Sequence, residues 1–102
     1  TPREFSSMVM LVRDALLEMK KVLDYTGDVA ANYMKMEARC RKIYVFEERG
    51  DEFYREEIRR LFTEKQSAAY MIYWKDILVD VERMLDAAAG AATLLQKLFV
   101  RV

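Results

Sequence analysis

The segment YMKMEARCRKIYVFEERGDEFYREEIRRL, residues 33–61, decides the fold. Steps of three and four residues along it pick out Tyr33, Met36, Cys40, Ile43, then Glu47 and Asp51, then Tyr54, Ile58 and Leu61. Such steps keep to one face of an α-helix, whereas a strand would alternate at every second residue. The stripe is apolar except for two carboxylates at its middle. An inward charge needs a partner, because an unpaired buried one is costly. The pattern returns downstream as Met71, Lys75, Leu78, then Glu82 and Asp86, then Ala89, Ala92 and Phe99. Two Glu-x-x-x-Asp pairs thus stand where core residues are expected.

Upstream, Phe5, Met8, Val9, Val12, Ala15, Leu16, Met19, Val22 and Leu23 form a further amphipathic stripe. It opens at Pro2, a residue suited to a helix start, and runs to about Tyr25. Thr26-Gly27-Asp28 breaks it, with Gly27 expected as a C-terminal cap and Asp28 as the next N-cap. The second helix is expected to reach about Phe62. Thr63-Glu64-Lys65-Gln66-Ser67 forms a polar break in which Ser67 or Thr63 caps a third helix ending near Phe99. No stretch alternates like a strand. The expected fold is all-α: one domain over residues 1–102, an antiparallel three-helix bundle with two long helices and one shorter. At 1.5 Å per residue the long helices span roughly 50 Å and the first about 33 Å.

Placing the second break near residues 64 and 65 sets Glu47 level with Glu82, with Asp51 one turn nearer the break and Asp86 one turn farther. With axes about 8–10 Å apart, all four carboxylates line one acidic seam. The same reckoning at Gly27 sets Glu4 to Ser7 level with Glu47, so the first helix is expected to end at the seam. Phe53, Tyr54, Ile58, Phe62, Tyr70, Met71, Tyr73 and Trp74 would then lack a cover, which points to self-association or to a missing piece of the protein. The opening on Thr1, without a methionine, suggests a fragment or a trimmed product.

Composition excludes several chemistries. Lysine plus arginine number 17 and so do aspartate plus glutamate, so no global field favours nucleic acid. Histidine is absent, which rules out a Ser-His-Asp triad, a HExxH zinc site and the Glu-x-x-His di-iron site. Gly27, Gly50 and Gly90 belong to no phosphate-binding loop. The single cysteine, Cys40, fits a reducing compartment, and cytoplasm is the expectation. No apolar run approaches the roughly 20 residues of a membrane span.

Oxygen ligands without histidine suit Mg²⁺, Ca²⁺, Mn²⁺ or iron. Two carboxylates at about 4 Å repel by roughly 4 kcal/mol at an effective dielectric of about 20, so four make a strong cation site. The competing reading neutralises the acids with protein bases: Lys75 could pair with Asp51, and Arg49 and Arg83 flank the pairs. The chain is then a purely structural helical interaction or dimerisation module without metal. Asp76 and Asp80 repeat the four-residue spacing but fall off the stripe. A metal-dependent hydrolase is a weaker third reading, since no nucleophile–base pair is evident.

Phe46-Glu47-Glu48-Arg49-Gly50-Asp51-Glu52-Phe53-Tyr54-Arg55 leading to Leu61-Phe62, then Tyr73-Trp74-Lys75-Asp76-Ile77 and Val81-Glu82-Arg83-Met84-Leu85-Asp86, resembles the second repeat of PhoU-like proteins. The branch it looks most like is paired with Pit-type inorganic phosphate transporters. The resemblance runs from about Ile43 to Val102 and is weak over the first helix. It implies two three-helix repeats, of which this chain supplies about half, so the expected neighbour is a second copy or an N-terminal repeat. It implies iron or zinc clusters on Glu47, Asp51, Glu82 and Asp86, beside the manganese or magnesium that the oxygen ligand set alone admits. It implies a regulatory adaptor of phosphate uptake rather than a catalyst. The implied partner is a phosphate transporter or its regulator, met at the inner face of the membrane.

Overall fold

The computed structural model describes residues 2–100, which are all-helical and bundle-like. Helix α1 spans Phe5–Asp24, a 3₁₀ turn covers Tyr25–Asp28, α2 spans Val29–Thr63 and α3 spans Ala68–Val100. Successive helices run in opposite directions, and each touches the other two. The molecule is a rod of 55 × 18 × 16 Å.

Local chemistry sets the ends of the helices. Asp28 caps α2 as the sequence predicts, its Oδ1 accepting from the Ala31 N–H at 3.1 Å. Ser67 caps α3, its hydroxyl accepting from the Tyr70 N–H at 3.1 Å. Gly27 does not act as a left-handed cap, since no glycine has a positive φ. Instead the Thr26 hydroxyl donates to the Leu23 carbonyl at 2.6 Å, and the winding continues into the 3₁₀ turn. The reversal falls on Asp28, at φ −147° and ψ 84°.

The core is drawn from all three helices. Met8, Leu11, Ala15 and Val22 of α1 meet Met36, Cys40, Ile43 and Leu61 of α2, and Leu78, Leu85, Ala88, Ala92 and Phe99 of α3. Below Ile43 the buried line of α2 continues through Gly50, Glu57 and Leu61, not through Glu47, Asp51, Tyr54 and Ile58. On α3 it runs through Leu78, Val81, Leu85 and Ala88, one residue away from Glu82, Asp86 and Ala89. The expected stripes are therefore rotated by one position at both acidic pairs. The carboxylates lie on the flank between α2 and α3, not at the centre of the core. This spares four charges full desolvation.

The first helix reaches farther than its sequence register suggests. Because α1 winds on to Asp28 before the chain reverses, its start passes the acids. The Glu4 N–H donates to Glu57 at 3.1 Å, and Phe5 meets the edge of Trp74 with ring centroids 5.2 Å apart. Phe53, Tyr54 and Ile58, expected to be uncovered, pack against Met8, Leu78 and Val81. What stays open at this end is Phe62 and Tyr73, with Ile72 beside them.

Candidate functional site

Gly50 sets the spacing of the site. It is buried one residue before Asp51, and a Cβ there would collide with the Leu85 Cδ1 of α3. The missing side chain lets Leu85 lodge against the α2 backbone and draws the two helices together beside the acidic pairs. Sequence reading gave this glycine no structural role, although its place inside a Glu-x-x-Gly-Asp run is the signal that could have revealed it.

Three of the four acidic residues converge. Glu47, Asp51 and Asp86 each offer a carboxylate oxygen, and these oxygens lie within 4.8 Å of one another. Glu82 stands beside this group, near enough to Asp51, Asp86 and Glu47 for them to perturb its carboxyl. The level differs from that expected: Gly50 meets Leu85 and Tyr44 reaches Gln96, so Glu47 stands nearer the height of Asp86 than that of Glu82. The link accounts for the shift, since α2 runs to Thr63, Glu64 is extended at ψ 145°, and α3 begins only at Ala68. Glu47, Asp51 and Glu82 are half-buried, and Asp86 is exposed.

The acids raise one another's affinity for protons. The hydrogen bond to Asp51, then partial burial, then the charges of Asp86, Asp51 and Glu47 push the Glu82 carboxyl from 4.5 up to about 7. Burial, followed by the charges of Asp51 and Asp86, pushes Glu47 above the usual carboxylate range. Like charges gathered on one flank either share protons or take up a cation.

No lysine or arginine among the described residues comes within 4.0 Å of these four carboxylates. Lys75 makes no ion pair with Asp51, and Arg83 turns to Asp80 at 3.9 Å. Elsewhere the chain neutralises its inward acids with care. Glu18, 8% exposed, meets Arg39 at 3.2 Å and Lys21 at 3.5 Å. Glu57, 3% exposed, meets Arg60 at 2.6 Å and the Glu4 N–H. The sequence reading missed both of these pairs, because they replace apolar residues on the true buried line.

Beyond Asp86 the flank stays polar. The Tyr44 hydroxyl donates to the Gln96 Oε1 at 2.6 Å and lies 2.9 Å from the Thr93 hydroxyl, which donates to the Ala89 carbonyl. Tyr44 stands three residues before Glu47 and Thr93 seven after Asp86, so helical spacing alone places both on the flank. Cys40 is fully buried, and its burial raises the thiol above its ordinary value. It is a packing residue.

Four carboxylates without nitrogen or sulfur donors form a hard ligand set, which fits Mg²⁺, Ca²⁺, Mn²⁺ or iron better than a closed zinc site. No family model matches this chain, and no curated protein or solved structure does either. No helix among the described residues is long and apolar enough to cross a membrane.

Proposed function

We propose that this chain is a PhoU-like three-helix bundle that binds multivalent metal through Glu47, Asp51, Glu82 and Asp86 and serves as a regulatory accessory of inorganic phosphate transport rather than as a catalyst. One contrast carries the metal assignment. The two most buried acids, Glu18 and Glu57, each have a basic partner, whereas Glu47, Asp51, Glu82 and Asp86 have none within ion-pair distance among the described residues. A cation relieves the repulsion that the protein leaves in place. The transport assignment rests on the resemblance over residues 43–102. In this reading the cluster holds the cation, the helix faces dock partner surfaces, and the state of the cluster biases that docking.

The Glu47 and Glu82 carboxyls are raised, and both must be ionised to ligate metal, so binding releases protons. A second reading is favoured by the Glu82 carboxyl, which Asp51 beside it helps to push up to about 7. Acids that share protons satisfy one another without metal, which leaves a purely structural interaction module. Metal analysis of protein purified without chelator separates the two. The metal reading expects stoichiometric iron, manganese or another hard cation, lost in the Glu47→Gln/Glu82→Gln variant. Substoichiometric metal that is unchanged in the variant removes the chemical basis of the proposal. For the transport assignment, deleting the gene in its native cell is expected to change phosphate uptake, and unchanged uptake counts against it.

A further inference from the structure

The flank between α1 and α3, away from the acids, is apolar where water would be expected. One step round α1 from its core line stand Val9, Leu16 and Leu23, exposed by 42, 57 and 52%. One step round α3 stand Met84, Leu94 and Leu98, exposed by 55, 59 and 45%, with exposed Ala87 and Ala91 between them. The groove between the two rows holds about 360 Å³ and has Val12, Met19 and Ala88 as its floor. We propose that this groove is the interface of a twofold dimer, occupied by a second copy of the same chain.

Self-complementarity points to that occupant. Helices α1 and α3 run in the same direction, and the groove sets the branched Leu16 of one beside the alanines of the other. A twofold axis along the groove places each α1 row over the partner's α3 row. Leu16 of each copy then seats on the partner's Ala87 and Ala91, as an isologous contact requires. Small residues let the helices approach closely. The area agrees. The eight exposed side chains, each leaving on the order of 80 Å² in water, present about 640 Å², which falls within one partner's share of a standard-size interface and slightly exceeds the largest patch on a typical monomer. The whole chain exposes 6634 Å², against about 6000 Å² expected for a monomer of its mass. Both acidic flanks stay in solvent in this dimer, so it stands or falls independently of metal binding.

Light scattering at tens of micromolar protein tests the proposal. The expected mass is twice 12.1 kDa. Leu16→Glu and Ala91→Glu should each yield a monomer with unchanged helical circular dichroism, because both sites are exposed. The dissociation constant should rise on the order of 10²-fold, as expected for an uncompensated buried charge. Met34→Glu, at an 82% exposed site on α2, should remain a dimer. A monomeric wild type, or a dimer that survives Leu16→Glu, overturns the proposal.

Discussion

Glu82→Gln in chelator-treated protein should stabilise the fold, and only at neutral and alkaline pH. In the wild type the Glu82 carboxyl stands beside Asp51 and releases its proton at about 7, against 4.5 without the fold. The native chain therefore holds a proton that the unfolded chain gives up. The stability this provides is complete below 4.5 and is lost as pH rises through about 7. The interval between 4.5 and about 7 corresponds to at most about 3.5 kcal/mol. The half-open flank screens the charges, which reduces the figure to about 1–2 kcal/mol. Glutamine keeps the shape and an N–H to donate to Asp51, but it never ionises. Urea melts should show variant and wild type within about 0.5 kcal/mol at pH 4, with the variant about 1–2 kcal/mol more stable at pH 8, a Tm rise on the order of 5–10 °C. A variant that is less stable at pH 8, or whose difference from wild type does not change with pH, would refute the placing of Glu82 beside the other three acids.

Other predictions follow from single contacts. Gly50→Ala should cost about 1–3 kcal/mol in denaturant melts despite the better helix propensity of alanine, because the new methyl meets the buried Leu85. The same substitution should weaken Mn²⁺ binding in calorimetry by spreading α2 from α3. Arg60→Met strips Glu57 of its ion partner at 3% exposure and should cost about 3 kcal/mol at pH 7, measured by chemical unfolding. Ser67→Ala removes the cap of α3 and should cost about 1 kcal/mol, with faster amide exchange confined to its first turn. Mn²⁺ at a hundredfold excess over its dissociation constant should add about 2.7 kcal/mol of stability, a gain absent from Glu47→Gln/Glu82→Gln.

Helix existence and length were legible in the sequence because the three- and four-residue steps are unmistakable from Tyr33 to Ile43 and from Leu78 to Phe99. The Asp28 and Ser67 caps were legible too, since short polar side chains before an amphipathic run have few other roles. The approach of Glu47, Asp51 and Asp86 to one another followed from their spacing. Their rotation off the buried line did not. A face with Gly50, Glu57 and Leu61 and a face with Glu47, Asp51 and Tyr54 are both three-to-four repeats, and only packing against Leu85 and Met8 chooses between them. The height of Glu47 near Asp86 was hidden for a related reason. It depends on how many residues the links spend in reversing the chain, which propensity does not report. The reach of α1 to Trp74 was missed because Gly27 suggested a sharp stop where the Thr26 hydroxyl sustains another helical turn.

The slender outline has a practical consequence. A radius of gyration of 16.4 Å exceeds the roughly 13 Å of a compact globule of this length. Such a particle meets more drag than its weight implies, so it will leave a gel-filtration column early and mimic a heavier sphere. Calibration against round standards would thus report an assembly even for isolated molecules. Molecular weight for this chain has to come from a method blind to shape.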